Sequence, residues 1–453
     1  MPEQDSMSAV TTDTLIDVAQ DRAVKKVLRD MFADIQPRLG EEKTDLEEIF
    51  TPESAEELLQ RLTDFSALLS VEDSYQGTLN KFQSQIDKAE KIRDEVMAKL
   101  YQAIKPIEAS YREIFLFFEN SEVPDGKKRK PVEFFVFNAD PAAMKNRESA
   151  TLAAIKGFTT SRNDNFNFRD DICNLVVSGP IPQSVREALE EEAYKWGMLL
   201  ITDLGDEKSF KQVSNGFRPG GKYEFLKRPD SKAACDVVTV GFLKLRDAHW
   251  FEKGDDDGIY SPASLLFAGA VARTDRQVGV VQGAIGTKFG QIKGVDKARI
   301  ECLISEMELL SMEMQVLPII RDADNHLCFY GCRSLAEDPY GVYKFFTAYR
   351  VLCYLERRIG TYLREVAGQV LTRELMDEGI EKPLIRLMEE QKEQGTIIEY
   401  KLFVDKDANK RMQGICDIHL EVMPTGPAET FRIKIDVPDF KTAGAAPSAG
   451  GAR

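Results

Sequence analysis

The final part of this chain, residues 396–437, constrains the fold most strongly, because it indicates three β-strands separated by turns. Residues 396–405 and 418–424 are rich in β-branched and aromatic side chains, and Asn409 and Gly414 mark a turn between them. The last run alternates between apolar and charged side chains. Its apolar face consists of Phe431, Ile433, Ile435 and Val437. A terminal strand of this kind is either an edge strand of its own domain or a strand that pairs with a neighbouring molecule.

Two helices are predicted immediately before these strands. Residues 342–366 carry apolar side chains at steps of three and four, which indicates a long amphipathic helix. An acidic helical stretch follows over residues 373–393 and includes Glu389, Glu390 and Glu393. Its charged face is either simply solvated or complementary to a basic protein partner.

Helical signals also dominate residues 13–119, where the longest is a single apolar stripe. Its members, at steps of three or four almost throughout, are Leu79, Phe82, Ile86, Ala89, Ile92, Val96, Leu100, Ile104 and Ile107. An earlier helix is expected to start at Thr51 and Pro52, a capping residue followed by a proline at the first helical position. The two helices form either a hairpin packed on its own domain or an arm that contacts a neighbouring subunit.

The middle of the chain indicates an α/β layer with a partly parallel sheet, because strand and helix signals alternate there. Strands are predicted over residues 132–137, 171–178, 197–204 and 236–245, and helices over residues 184–196 and 261–272. A β-hairpin is expected at residues 316–331, where Asp322, Ala323, Asp324 and Asn325 supply the turn chemistry. The predicted fold class is therefore α+β, with mixed α/β character.

These signals divide the chain into five parts. Residues 1–12 are polar and expected to be disordered, and 13–130 form a helical region that ends in a basic connector. Residues 131–335 form the α/β body, and 336–440 form a C-terminal domain of helices and strands. Residues 441–453 are rich in Ala, Gly, Ser and Pro and are expected to be a flexible tail.

Composition excludes several functional classes. The formal net charge is -15, which argues against general nucleic-acid binding, since neutralising phosphates requires a basic surface. No apolar run approaches the length of about 20 residues that spans a bilayer, so no direct membrane insertion is expected. The seven cysteines have no framework spacing, and the start of the chain lacks the pattern of a signal peptide. We therefore expect a cytoplasmic protein with reduced thiols.

Only one motif in the sequence resembles a catalytic site, and the match is weak. Residues 216–223 nearly match a phosphate-binding loop, with Lys222 at the lysine position, but Tyr223 replaces the small hydroxyl residue that binds magnesium. A helix rather than a strand is predicted just before Gly216, which also contradicts the motif. A nucleotide-binding enzyme using Lys222 stays as the alternative from another class, beside an ordinary surface turn.

Metal chemistry is equally poorly supported. His249, His326 and His419 have no partners at ligand spacing, and Cys328 and Cys332 lack a second pair that would complete a zinc site. The acidic run at residues 255–257 lacks the alternation of a calcium loop. We therefore predict no catalytic residue, no cofactor and no metal, and we do not expect an enzyme.

The C-terminal pattern resembles that of the contractile sheath protein family, whose members form the outer cylinder of phage tails and type VI secretion systems. The matching positions are Tyr400, Asp405, Asn409, Gly414, Pro424, Pro427, Ala428 and Glu429. The middle region is most similar to the type VI sheath large subunit, in its Bacteroidetes-type form, at residues 242–246, 261–272 and 338–368. The likeness spans most of residues 75–438. The chain lacks the Gly-Val-Tyr-x-x-Glu style opening of single-component phage sheaths, which favours a two-component sheath.

The resemblance implies a structural subunit that polymerises in six-fold rings around an inner tube and contracts to drive the tube through a target membrane. Its implied partners are further copies of itself, a small sheath subunit, the inner tube protein and the baseplate. Phe431, Ile433, Ile435 and Val437 would form a strand exchanged between subunits. Glu389, Glu390 and Glu393 are the candidates for contact with the tube. The alternative within the family is the sheath of a phage-tail-like or extracellular contractile injection system.

Overall fold

The computed structural model describes residues 75–124, 131–137, 144, 146–165, 172–249, 251–252, 258–337 and 341–429. The chain divides into two units, residues 1–100 and 101–453. In the first unit the described residues, 75–100, belong to a helix. The second unit combines helices with small sheets, which confirms the predicted α+β class. No helix in the described ranges is both long and apolar enough to cross a bilayer.

Helices and strands alternate along most of the described chain. The helices are α1 (Tyr75–Ser121), α2 (Ala150–Asn165), α3 (Gln183–Lys195), α4 (Phe210–Gly216), α5 (Ser264–Val278), α6 (Gly286–Phe289), α7 (Ile304–Glu308), α8 (Phe346–Val366), α9 (Lys382–Glu393) and α10 (Ala408–Met412). The strands are β1 (Asn174–Pro180), β2 (Leu199–Asp203), β3 (Asp236–Thr239), β4 (Phe242–Asp247), β5 (Gly258–Pro262), β6 (Ile319–Arg321), β7 (Leu327–Phe329), β8 (Ile397–Val404) and β9 (Ile418–Pro424). Short π-helical turns lie at Leu309–Glu313 and Leu375–Glu381.

The centre of the body is a parallel sheet in the order β1-β2-β3. Every residue of β2 and β3 is buried, as expected for parallel strands covered on both faces. On one face Leu200 and Val238 pack in a core that includes α3, and on the other face Ile201 and Val237 pack in a core that includes α5. The predicted strand, helix, strand rhythm is therefore confirmed over residues 174–203.

The single strand predicted over residues 236–245 is wrong, because the run forms two strands in different sheets. β3 belongs to the parallel sheet, whereas β4 pairs antiparallel with β5. Gly241 lies between them with φ at +103°, a conformation that favours glycine and turns the chain out of the first sheet. Both halves are apolar and largely buried, so composition alone could not reveal the break.

The strand predicted over residues 132–137 is also wrong. In the structure these residues belong to no strand. The segment packs its aromatic rings instead. Phe134 lies 4.6 Å from Phe117 and 5.6 Å from Phe118, between ring centroids, while Phe135 and Phe137 pack on Phe158. Ring packing against α1 and α2 thus takes the place of backbone pairing.

A buried carboxylate joins several elements of the body. Asp203, at the end of β2, accepts hydrogen bonds from the Gly179 amide at 3.0 Å, the Ser264 amide at 2.9 Å and the Thr239 hydroxyl. Complete burial raises its pKa even though these donors oppose the shift. The same contact explains why α5 begins at Ser264 rather than at the predicted residue 261, which lies in β5.

The C-terminal part follows its predictions closely. The long amphipathic helix, the helix of the acidic stretch and the two strands appear as α8, α9, β8 and β9. The predicted hairpin appears as β6 and β7. The two strands β8 and β9 pair antiparallel, and one face of this sheet packs on α8 and α9 through two core clusters.

Several predicted features lie outside the described residues. They are the helix that starts at Thr51, the basic connector at residues 127–130, the acidic run 255–257, the terminal strand with Phe431, Ile433, Ile435 and Val437, and the tail 441–453.

The role of Gly241 gives a stability prediction. We expect Gly241→Ala to lower the free energy of unfolding by about 1–2 kcal/mol, because an L-residue is strained at this positive φ. The strain is the main cost, since an added Cβ would meet only ordinary contacts, the nearest 3.7 Å away. Urea denaturation followed by circular dichroism measures the change.

Gly157→Ala is the matched control. Gly157 lies inside α2, and an added Cβ there would have no atom within 4 Å. This substitution should raise the free energy of unfolding by about 0.4–1 kcal/mol. Equal effects of the two substitutions would contradict the role assigned to Gly241.

Candidate functional site

Helix α1 presents opposite faces to the body and to solvent in its second-unit part, residues 101–121. Leu116 and Phe117 are buried in the core beneath α5. The approach to α5 is close, because a Cβ added at Gly269 would lie 2.6 Å from the Phe117 carbonyl oxygen. Glycine is therefore required where the two helices meet.

Polar contacts fix the end of α1 to the body. The buried Asn120 side chain donates to the Lys293 carbonyl at 3.1 Å and accepts from the Lys293 amide at 2.9 Å. Arg273 on α5 donates to the Asn120 carbonyl at 2.9 Å. The bond from Arg273 satisfies a carbonyl group that the helix end leaves without an intrahelical partner, and the two Asn120 side-chain bonds tie the helix end to Lys293.

A second anchor lies at Glu108, about three turns before Asn120. Arg246 on β4 binds Glu108 through two bonds of 2.7 and 2.9 Å, and also binds Glu252 and the Tyr101 hydroxyl. Burial acts to raise the pKa of Glu108, but the hydrogen bonds from Arg246 and Arg112 outweigh it and lower that pKa to about 2. The pKa of Tyr101 rises to about 12, mainly through burial. The helix is therefore held by a fully used guanidinium group.

The opposite face of α1 is an exposed apolar stripe. Its members in the second unit, at steps of three or four, are Ile104, Ile107, Tyr111, Phe115 and Phe118. Ile107 is 70% exposed and Tyr111 is 68% exposed. The stripe covers four helical turns, roughly 21 Å. An apolar surface of this shape on a fixed helix suits the docking of another helix.

The apolar run predicted from the sequence ends at Ile107 and so contains only part of this stripe. Tyr111, Phe115 and Phe118 continue it with the same spacing, so the helical period alone could have extended it. What the period could not reveal is which face meets the body. That depends on Gly269, Asn120 and Arg246, which are distant from one another in sequence.

The β8–β9 sheet is the second candidate surface. Among the described residues it has only two strands, so each strand has one neighbour. Its inner face packs Tyr400, Leu402, Leu420 and Val422 on the C-terminal helices. Its outer face is exposed and includes Phe403 opposite His419, together with the ion pair Lys401–Glu421 at 2.8 Å. A two-stranded sheet is marginal alone and has edges open to a further strand.

The acidic candidates lie on the outer side of α9. Glu389, Glu390 and Glu393 are exposed, while Leu384 and Met388 on the same helix are buried. Glu389 accepts a hydrogen bond of 2.6 Å from the Tyr400 hydroxyl. Burial, assisted by this bond, raises the pKa of Tyr400 to about 12. The structure therefore brings the three carboxylates to one exposed helix, beside β8.

The segment that resembles a phosphate-binding loop is a packed turn. Helix α4 precedes it, as the sequence predicted, so the strand that the motif requires is missing there. Lys222 lies 3.4 Å from Glu207, and the Tyr223 hydroxyl donates to the same carboxylate at 2.8 Å. A Cβ at Gly216 would collide with the Tyr223 ring at 2.4 Å. This arrangement gives the Lys222 alternative no support.

The cysteines and the turn residues considered in the sequence serve local structure. Cys328 and Cys332 are buried free thiols, and burial raises the pKa of each to about 12. Asp322, Asp324 and His326 cluster in the turn between β6 and β7, where the Asp322 carboxylate accepts from the other two backbone amides at 3.0 and 2.7 Å. That carboxylate therefore stabilises the hairpin turn.

A protein-family model matches the middle of the chain. The model for the type VI secretion system TssC/VipB central domain matches residues 99–335, which is more than half of the chain. The matched part begins just before the anchored section of α1 and includes the whole parallel sheet and the β6–β7 hairpin. No curated protein matches this sequence.

Several solved structures of contractile systems resemble this chain. The anti-feeding prophage baseplate shows 17% identity and a TM-score of 0.47, covering 65% of this chain and 75% of that chain. The sheath complex of the extracellular contractile injection system PVC, in its contracted state, shows 15% identity and a TM-score of 0.49, covering 63% and 75%. A sheath tail protein from Desulfitobacterium hafniense shows 8% identity and a TM-score of 0.39, covering 61% and 60%.

Proposed function

The chain belongs to the TssC/VipB family of type VI secretion systems and is a contractile sheath subunit, and we propose that it acts as the large subunit of a two-component sheath. The match of the family model to residues 99–335 is the observation that carries this proposal. Under this proposal, the subunit assembles around an inner tube in the cytoplasm. It does so with further copies of itself, a small sheath subunit and a baseplate. Contraction then drives the tube through a target membrane.

Strand donation would link the subunits. The β8–β9 sheet has only two described strands, and the last β-prone run of the chain, with Phe431, Ile433, Ile435 and Val437, follows it directly. Adding this run to the sheet of a neighbour forms main-chain hydrogen bonds and buries its apolar face. Such links can persist while the bodies of the subunits rotate.

The body is built to move as a rigid unit. Asp203 ties β2 to β1, β3 and α5, and Arg186 on α3 forms a buried ion pair of 2.8 Å with Asp236 on β3. Breaking such buried pairs is costly, so rearrangement would occur at the contacts between subunits. The extended lattice would store free energy that many subunits release together, without consuming nucleotide during firing.

Truncation tests the function. A chain that ends at Glu429 should not form sheath polymers when expressed with its small partner, because it lacks the strand that links neighbours. Negative-stain microscopy and sedimentation would show discrete particles instead of hollow tubes. A chain that lacks only residues 441–453 is the control and should polymerise normally. Normal tubes from the chain ending at Glu429 would exclude strand donation.

The exposed stripe on α1 is the proposed docking site of the small sheath subunit. The stripe lies opposite the face fixed by Leu116, Phe117 and Asn120, so the body leaves it open. Its helical spacing and aromatic content suit an amphipathic partner helix. This contact would make the two components one building block of the lattice.

A charge placed on the stripe tests this contact. Ile107→Asp should weaken copurification of the small partner by roughly tenfold or more, because a carboxylate would be desolvated in an apolar interface. Pull-down from coexpressing cells measures the effect, and circular dichroism checks the fold. Lys105→Asp, at an exposed position beside the stripe on the same helix, is the control. Equal binding by both variants would contradict the proposed site.

The acidic side of α9 is the proposed contact with the inner tube. Glu389, Glu390 and Glu393 are exposed and close in sequence, so they offer a concentrated negative surface to a basic partner. A contact of this kind would be sensitive to salt and easily released, as a tube that must leave its sheath requires.

Charge reversal tests the tube contact. The double variant Glu389→Lys/Glu390→Lys should reduce copurification of the tube protein by roughly tenfold, and added salt should reduce wild-type binding. Glu374→Lys/Glu378→Lys is the matched control, with the same charge change at exposed positions outside α9. Tyr400→Phe controls for the hydrogen bond lost from Glu389. Unchanged copurification with the first variant would exclude this role.

A further inference from the structure

The five residues after β9 form a strap that is held at its start. The Thr425 amide donates to the Thr396 carbonyl at 3.1 Å, and the Thr425 hydroxyl donates to the Gly395 carbonyl at 2.7 Å. Gly426 then passes the Phe345 ring, which an added Cβ would contact at 3.6 Å. The beginning of the strap is therefore fixed to the residues just before β8 and to the residue that precedes α8.

An ion pair holds the end of the strap. Arg333 donates from Nε and Nη2 to the two carboxylate oxygens of Glu429, at 2.5 and 3.0 Å, and from Nη1 to the Met312 carbonyl at 2.6 Å. Both side chains are about four-fifths buried, with exposures of 21% and 20%. A bidentate pair of this kind fixes orientation as well as position.

The arginine side of this clamp is rigid. Arg333 forms a β-bridge with Phe345, and the adjacent residues Ser334 and Phe346 donate backbone hydrogen bonds to Lys344 and Cys332 at 2.8 and 3.2 Å. The clamp therefore joins the strap to the body at the point where α8 begins.

The direction of the strap follows from the packing of β9 on α8. Ile418, at the start of β9, shares a core cluster with Leu363 and Val366. Val422, near its end, shares a cluster with Val351 and Leu355. β9 thus runs toward the N-terminal end of α8, and the strap continues past that end to Arg333. Glu429 therefore lies beyond the end of β9, past the end of the β8–β9 sheet.

We propose that the Arg333–Glu429 clamp prevents the terminal strand from pairing with the sheet of its own subunit and so directs it to a second copy of the chain. This inference rests on the strand donation proposed above. Arg333 and Glu429 act as positioning residues, since they need not touch the donated strand itself.

Chain length supports the proposal. The five residues of the strap, if extended, carry the chain up to roughly 17 Å past the sheet. With Glu429 fixed there, a chain that turns back needs about five more residues to reach the sheet again. Of the four apolar positions in the terminal run, only Ile435 and Val437 would then be available for pairing. A released strap could instead turn directly after Pro424, since hairpin loops need only two to five residues.

Pairing of the terminal strand with its own sheet competes with pairing to the sheet of a second copy, so the internal pairing must be suppressed. A strand tethered beside its own sheet has an effective concentration in the millimolar range or above, which favours pairing within the chain. A subunit that must link to its neighbours therefore needs a device that makes the internal reaction unfavourable. The clamp makes the internal pairing unfavourable because it holds Glu429, just before the terminal run, away from the sheet.

Cysteine cross-linking in the full chain tests the clamp. Lys434→Cys is combined with Lys401→Cys on β8 or with His419→Cys on β9, which together cover both edges of the sheet. Isotope-labelled and unlabelled chains are each expressed with the small partner, and the two preparations are then mixed, oxidised and digested. Mass spectrometry distinguishes cross-links between chains, which contain both isotopes, from cross-links within one chain.

With the clamp intact, cross-links between chains should dominate. Glu429→Lys should raise the ratio of internal to intermolecular cross-links by roughly tenfold, the effect of losing one charged, bidentate hydrogen-bonded pair. The swap Arg333→Glu/Glu429→Arg should restore most of the original ratio. Glu301→Lys is the matched control, because Glu301 forms a similar bidentate pair with Arg321 elsewhere on the body at 2.6 and 2.9 Å.

The outcomes separate the two proposals. If Glu429→Lys leaves the ratio unchanged while the parent forms cross-links between chains, the clamp inference is overturned and strand donation stands. If the parent forms cross-links only within single chains, strand donation itself is wrong, and the clamp inference falls with it.

Discussion

The contact on which the body depends most is the carboxylate of Asp203. It lies at the carboxyl end of β2 and accepts hydrogen bonds from β1, β3 and the first residue of α5. Because it holds the N-terminus of α5, it also sets the position of Gly269 and Arg273 on that helix, which in turn hold the end of α1. A single buried group is thus linked, contact by contact, to the exposed stripe on α1. The orientation of the stripe is fixed because the core contacts on the opposite face of α1 fix the helix.

Three largely buried arginine–carboxylate pairs lie where one part of the described chain meets another. Arg246 joins β4 to α1, Arg350 on α8 pairs with Asp275 on α5, and Arg333 joins the body to the strap. Arginine suits these places, since its planar fork binds carboxylates in a fixed orientation and stays charged when buried. The partners are distant in sequence, by 138, 75 and 96 residues respectively. Such pairs fix the relative placement of elements that hydrophobic packing alone would leave free to slide.

Much of the fold could be predicted from the sequence because local patterns carried it. Periodicity identified α1, α8 and α9, and turn chemistry identified the β6–β7 hairpin. The failures have a common cause in tertiary contacts. The break at Gly241 divides an apolar run that no local signal distinguishes from one strand, and residues 132–137 pack their rings on α1 and α2 because those surfaces are available. The candidate surfaces were partly predicted: the acidic residues of α9 are exposed as expected. The Arg333–Glu429 pair could not be predicted, because Glu429 belongs to the pattern shared with sheath proteins but nothing in the sequence marks Arg333 as its partner.

A subunit that forms a filament faces a constraint that an enzyme does not. Its binding surfaces must stay open in the single chain, although each is adhesive and close to potential partners within that chain. The α1 stripe faces away from the body, and the described strap leads past the end of the β8–β9 sheet to Arg333. Under the proposed function, a fixed polar contact in both places would keep the surface available. The free energy of covering these surfaces would then be reserved for contacts between copies, where a sheath needs it.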